Sequence, residues 1–463
     1  MNKKLALVLL TGIVILAGVL RLWQLGNVPL SLDWDEVALG YDAYSIISTG
    51  KDEYGKFLPV VLRSFDDYKP ALYVYLTIPS VLAFGLNEFG VRFPSAVFGI
   101  IAVLATYFLV KELFSIGSKE LTSKTQELLA LLSAMLIAIS PWHIQFSRVA
   151  FEANVGAVLN ILAALFFLKG LKRPKLLLLS AFFAGLNIYS YQSEKVFTPL
   201  LVLALCIIYK KELFSLSKKY ITLAIFLGLI VVSPMIFYIY YNSQALLRVT
   251  GTSIFSYQTV LLKTNISKIE KDSANNDKLG LILDNRRLVY AKAIISGYIS
   301  HFDPNWLFVT GDISRHHAPG MGILYLFEFP FILFGIYMLL FGKFDPKTKL
   351  VVFLWFLLAP LPASITTEVP HAVRTLNFLP TWQIFSALGI IFAVQKISNI
   401  KYKISKIHIK YLIFLLCFLF FIFNFSYYLN QYFVQLNYYD SQDWQYGYKQ
   451  TIDQVKALES KYK

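Results

Sequence analysis

The sequence predicts an all-α polytopic membrane protein, and three observations predict it. Hydrophobic residues fill 57% of the 463 positions and charged residues only 15%, too little polar surface to clothe a soluble domain. Apolar runs approaching the ~20 residues that cross a bilayer as a helix recur along the whole chain. The Lys and Arg gather in short connections between those runs, where topology signals lie. The formal charge of +15 therefore reads as orientation in a lipid bilayer, and no nucleic-acid partner is expected.

The first run, 5–23, follows the charged start MNKK. No small-x-small cleavage pattern follows it, and Arg21 and Trp23 come directly after, so an uncleaved span is expected rather than a removed signal. Further runs lie near 70–88, 91–110, 128–146, 153–168, 176–193, 196–209, 220–241, 322–341, 350–365, 375–394 and 411–432. Let the N-terminus and the loops 111–127, 169–175, 210–219, 343–349 and 396–410 be inside. They then hold 21 of the 43 Lys and Arg, against Arg148, Lys195 and Arg374 alone in the short outer loops.

That bias survives only if 70–88 does not cross. Pro79 interrupts its helix and tyrosines lead it, so it is expected to dip into the outer interface. Eleven spans result, with the N-terminus inside and the C-terminus outside; twelve is the alternative if one loop defies the charge rule. The expected plan is a seven-helix unit over 1–241 that carries outer loop 24–90. A large outer loop 242–321, four further spans over 322–432 and an outer tail 433–463 follow. No inverted repeat is apparent. Cys206 and Cys417 both fall in apolar runs, which supports neither a disulfide framework nor a Cys-based metal site.

LSLDWDEVALGY, residues 30–41, sets Asp33, Asp35 and Glu36 within four positions of one another on the outer side. Any single acid there reads as a helix-start carboxylate. Three acids around Trp34, at the membrane surface and facing basic loops, favour a site. A lipid-phosphate sugar donor places its phosphate and anomeric carbon at this depth. Moving its sugar to a hydroxyl or amine needs one base, plus cations for a phosphate that leaves without prior protonation.

Candidate phosphate contacts on the same side are Lys69, Arg92, Arg148, Arg315, His316, His317, His371 and Arg374. Each lone cation could instead be a headgroup anchor, but several outer segments presenting one each favour a shared anionic site. Adjacent His316 and His317 point in different directions, which ranks phosphate or acceptor contact ahead of structural bonding, with metal ligation third. An acid cluster also suits a divalent cation, for which Asp35 and Glu36 are the candidate ligands; no other cofactor is implied.

DWDEVALGYDAY, YKPALYVYL, FGVRFPSAVFGIIAVLATYFLV and ISPWHIQFSRVAFEANVG, in that order and spacing, resemble the membrane glycosyltransferases of GT-C fold. The resemblance is to the group containing protein O-mannosyltransferases and lipid A aminoarabinose transferases. GDISRHHAPGMGILYLFEFPF and PHAVRTLNFLP look like segments of bacterial members. It covers about 20–385 and implies a GT-C-like fold with a seven-helix core, interfacial helices in the first outer loop and a polyprenyl-phosphate sugar donor.

The family's Asp-Glu pair falls on Asp35 and Glu36, making Asp35 the base and Glu36 its neighbour. The family's basic residue before proline falls on Lys69. Asp33 is expected to be solvated and Trp34 to anchor at the interface. The chain departs in having one proline, Pro70, where many members have two, and in lacking the insert domain of the eukaryotic protein mannosyltransferases, which argues against a protein acceptor.

The expected function is inverting transfer of one sugar, hexose or pentose, to an extracytoplasmic glycan, lipid or protein from an enzyme in the cytoplasmic membrane. The alternatives are a lipid-linked sugar flippase, or an oligosaccharide polymerase or ligase with a diphosphate-linked donor. A flippase would place charges within spans near the midplane; here they gather at the outer surface.

Overall fold

The computed structural model describes residues 2–65, 67–115, 120–242, 251–256, 259–399 and 407–462. Every one of the twelve apolar runs contains a helix: Lys3–Leu22, Leu72–Phe84, Glu88–Leu113, Ser123–Ile139, Glu152–Lys172, Leu177–Asn187, Glu194–Ile208, Lys218–Tyr241, Glu328–Phe341, Pro346–Leu358, Thr381–Asn399 and Ile407–Asn430. Seven helical stretches among the described residues are long and apolar enough to cross a bilayer, or eight if one bent pair counts as a single span. The protein is thus all-α and multi-pass. Leu72–Phe84 has 13 residues and rises only about 20 Å, short of the ~30 Å hydrocarbon thickness.

Burial separates an inner layer of helices from a lipid-facing one. The apolar windows of Leu376–Ser398 and Glu152–Lys172 are 83% and 78% buried, whereas those of Lys218–Tyr241 and Tyr411–Tyr439 are 6% buried. Inner packing reaches backbone contact where Glu328–Phe341 meets Thr381–Asn399. A Cβ on Gly335 would collide with the Phe385 carbonyl, and one on Gly389 with the Phe331 carbonyl, the small-residue approach that lets helices pack without a hydrophobic drive.

The run 128–146 is not one straight helix, as the sequence suggested. It bends by 56° between Ser123–Ile139 and Pro141–Arg148, because Ser140 caps a new helix with Pro141 at its first position. The bend orphans carbonyls, and Arg21 takes them: its guanidinium donates to Ala138 O at 3.0 Å and Ile137 O at 3.2 Å. All eight residues of the short arm are buried. Trp142 donates through its backbone to Ile323 O at 3.1 Å and through its ring to Ala372 O at 3.2 Å. The arm is thereby a floor on which two distant outer loops are laid.

The loop between the first helix and Leu72–Phe84 holds a helix, Trp34–Thr49, and a two-stranded antiparallel hairpin, Val61–Ser64 with Asp67–Pro70, in which Leu62 pairs with Lys69. Asp33 caps the helix, accepting from Glu36 N at 2.8 Å while Glu36 accepts from Asp33 N at 3.2 Å, a closed capping box. The C-terminal tail folds back over this loop. Trp444 is fully buried with the Arg92 guanidinium 5.9 Å from its ring centre, and Lys449 pairs with Glu88 at 3.1 Å.

Candidate active site

A cavity of about 450 Å³ opens where these segments converge. Asp35 reaches it from the first turn of Trp34–Thr49, and Lys69 from the end of the hairpin, where the two side chains form an ion pair. Asp35 is 35% exposed and Lys69 only 4%, so the carboxylate keeps access to the cavity while the ammonium approaches from beneath. Arg315 and His316 come from the outer loop before Glu328–Phe341, and His371 and Arg374 from the loop before Thr381–Asn399. Six residues singled out from the sequence therefore line one cavity, although they span 340 positions of chain.

Arg315 is held from two sides: it donates to Asp33 Oδ2 at 3.1 Å, and its guanidinium lies 4.7 Å over the Trp34 ring. Trp34 is thus a platform for a cavity arginine as well as a half-exposed ring. Arg374 donates to Thr366 Oγ1 at 2.7 Å and to Glu368 Oε2 at 3.1 Å.

Four expectations are corrected by the geometry. Asp33 is buried, not solvated; loss of hydration, and then the neighbouring Glu36 and Asp35 charges, push its carboxyl up to about 7. Glu36 is buried beneath the site, accepting from Arg92 Nε at 2.8 Å, Arg92 NH2 at 2.9 Å and Ala150 N at 2.9 Å. With its oxygens saturated, it is not open to substrate or to a metal shared with Asp35.

Arg92 and Arg148 are withdrawn from the phosphate contacts, since neither borders the cavity. Arg92 spends its remaining donors on the carbonyls of Leu25, Pro29 and Ser31, and Arg148 on those of Leu20, Trp23, Gln24 and Val28. His317 is the fourth. Its ring lies against Gly311, which has φ +70° and no room for a Cβ, and its Nδ1 faces Ile313 O at 3.1 Å.

The structure adds Glu152, Asp312 and Glu368 to the cavity. Asp312 carried a readable signal, since it precedes His316 by four positions; Glu152 and Glu368 carried none beyond an acid near a basic residue. Burial would raise the Asp312 carboxyl, but the facing His316 ring and the Ala372 N–H hold it down at about 2. Loss of hydration, and then the neighbouring His316 and Arg374, push His371 far below the usual histidine range, so its ring is neutral at physiological pH.

Residues 68–238 match the family described as dolichyl-phosphate-mannose-protein mannosyltransferase. Comparison with curated proteins returns no match. The fold is similar to that of the oligosaccharyltransferase AglB from Archaeoglobus fulgidus, solved with an inhibitory peptide and a dolichol-phosphate. That likeness has 15% identity and a TM-score of 0.54, and covers 94% of this chain and 56% of that one. It is also similar to ArnT from Cupriavidus metallidurans bound to undecaprenyl phosphate, at 11% identity and a TM-score of 0.50, covering 84% of this chain and 61% of ArnT. The chain spans less than two thirds of either structure and has their GT-C-like fold.

Proposed function

We propose that the protein is a membrane glycosyltransferase that moves one sugar, with inversion, from a polyprenyl monophosphate to an extracytoplasmic acceptor. The observation that carries this reading is the meeting of Asp35 with Lys69, Arg315 and Arg374 in one cavity. The match of residues 68–238 to a family named for a dolichyl-phosphate-mannose donor adds support. So do fold relatives solved with dolichol-phosphate and undecaprenyl phosphate. The charge bias of the loops supports a cytoplasmic N-terminus, with the cavity and C-terminus on the outer face of the cytoplasmic membrane.

In this reading the acceptor oxygen or nitrogen attacks the anomeric carbon as the bond from that carbon to the phosphate oxygen breaks. The bonding pair leaves with the polyprenyl phosphate, which the cationic side chains receive. The acceptor proton passes to Asp35. The Asp35–Lys69 pair gives the order of events: an incoming phosphate competes for Lys69 and releases the carboxylate to act as base. Four carboxylates and three cationic side chains line the cavity, so donor charge is met locally rather than by a uniformly basic surface.

The test is transfer from labelled polyprenyl-phosphate sugars in liposomes to lipid, glycan and peptide acceptors. Asp35→Asn should lower the rate by roughly 10²–10⁴-fold. Full transfer by that variant would remove Asp35 as base, and lipid-sugar flipping without transfer would remove the enzyme reading.

A further inference from the structure

Asp312, His316 and His371 bring one donor atom each to within 4.8 Å of one another on the cavity wall. The short turn Ser314–His316 sets Asp312 and His316 four residues apart on one side, and His371 arrives from the opposite loop with its ring centre 5.0 Å from that of His316. His316 Nδ1 lies 3.3 Å from Asp312 Oδ2. Yet that nitrogen is buried without a hydrogen-bond partner among the described residues, on a side chain only 6% exposed.

The two atoms face each other as an ion pair yet miss hydrogen-bond geometry, as two donors aimed at one shared point would. Ligands about 2.0–2.1 Å from a tetrahedral ion stand about 3.3 Å apart, the separation of the Asp312–His316 pair, with the His371 donor within 4.8 Å of both.

We propose that Asp312, His316 and His371 bind one divalent transition-metal ion of the zinc class at the wall of the cavity. Two imidazoles and one carboxylate suit zinc, or cobalt as its substitute, better than magnesium or calcium, which favour all-oxygen shells. The surrounding contacts orient this donor set. Asp312 Oδ2 accepts from Ala372 N–H, and the His371 backbone N–H donates to His301 Nε2 at 3.2 Å. His301 Nδ1 is in turn set against Gly297 O at 2.7 Å. Such outer contacts fix ligands before the ion arrives.

Three protein ligands would leave a fourth position, and all three line the cavity that also holds Asp35. An ion there would accept an anionic oxygen as a Lewis acid. It would also reverse the balance of four carboxylates against three cationic side chains, which on its own disfavours an incoming anion. The assignment of that oxygen to the leaving phosphate rests on the transferase reading; the ion site does not.

The experiment is calorimetric and optical titration of the chelator-stripped, detergent-purified full chain with Co²⁺ alone. Wild type should take up one Co²⁺ per chain with the visible absorption of a four-coordinate site. His316→Gln and His371→Gln should each weaken uptake by 100-fold or more, and His317→Gln, whose ring lies against Gly311 and away from the cavity lining, should keep it. Gel filtration and the unfolding temperature of each metal-free variant report whether it folds.

No stoichiometric uptake by wild type would overturn the site without reference to any variant. Equal loss in His317→Gln, or full uptake by folded His316→Gln, would overturn the ligand set. Transfer is assayed separately. Failure of the transferase reading leaves the cobalt result standing, and failure of cobalt binding sinks the ion site whatever the transfer rate.

Discussion

Two sets of cationic side chains lie close together in the fold and do opposite things. Arg21, Arg92 and Arg148 are fully buried, and they spend most of their donors on backbone carbonyls, with Arg92 also held by the buried Glu36 carboxylate and Arg21 by His143 Nδ1. Lys69, Arg315 and Arg374 border an open cavity and pair with side-chain carboxylates. The difference is one of competition. An anionic ligand can displace one carboxylate from a cation at the cavity wall, but it cannot replace three or four carbonyls that would then be buried without donors. Charge alone does not separate a phosphate contact from a structural clamp; the number of the partners and whether the pair is sealed away from the cavity do.

The comparison breaks most visibly at Arg92. Arg92→Met should strand the buried Glu36 carboxylate and destabilise the fold by about 3–5 kcal/mol, read as a large fall in unfolding temperature in detergent. Pairing it with Glu36→Leu should restore only part of that loss, because the unpaired charge goes but the carbonyls of Leu25, Pro29 and Ser31 and the Ala150 N–H stay without partners. Arg374→Met should barely move the unfolding temperature, since its carboxylate partner Glu368 has a side chain 74% exposed to solvent. If Arg374→Met unfolds the protein as readily as Arg92→Met, the division into clamp and contact is wrong.

Lys69→Ala sharpens the same line from the cavity side. The donor KM should rise by about 10–150-fold, the worth of one charge-assisted hydrogen bond of roughly 1.5–3 kcal/mol. Because Asp35 loses its resting partner, transfer at saturating donor should fall less than in Asp35→Asn. A fall in kcat equal to that of Asp35→Asn, with KM unchanged, would mean that Lys69 serves the chemistry and not the phosphate.

How far the sequence reaches follows from the same physics. The helices were legible because hydropathy is a local property, and all twelve runs contain one. The bend at Ser140 was not, since Pro141 could as well have opened a helix in a loop; only the Arg21 donors waiting for the freed carbonyls decide it. Asp35, Lys69, Arg315, His316, His371 and Arg374 were legible as charged groups on one side of the membrane. Arg92 and Arg148 looked identical to them, because nothing near either arginine in sequence names the carbonyls of residues 20–31 as its partners. Asp33 looked like the most solvent-exposed acid of its cluster, and the outer loop bearing Arg315 buries it.

Asp33 also gives the gentlest test, since it belongs to both sets: it closes a capping box from within and pairs with a cavity arginine. Its folded-state carboxyl is raised to about 7, against the usual unfolded value near 4. The folded state therefore binds this proton more tightly than the unfolded chain does. The resulting stability is fully present below about pH 4 and is lost as pH rises through 7. Asn caps a helix about as well as Asp and has no proton to lose, so Asp33→Asn should remove this slope while keeping the cap. The unfolding temperature of the variant minus that of wild type should accordingly become more positive between pH 5 and pH 8, by about 1 °C for each kcal/mol of linkage in a chain of 463 residues. A difference that stays flat with pH would place the Asp33 charge permanently on the Arg315 side of the comparison, as a paired carboxylate, and not among the desolvated groups of the clamp.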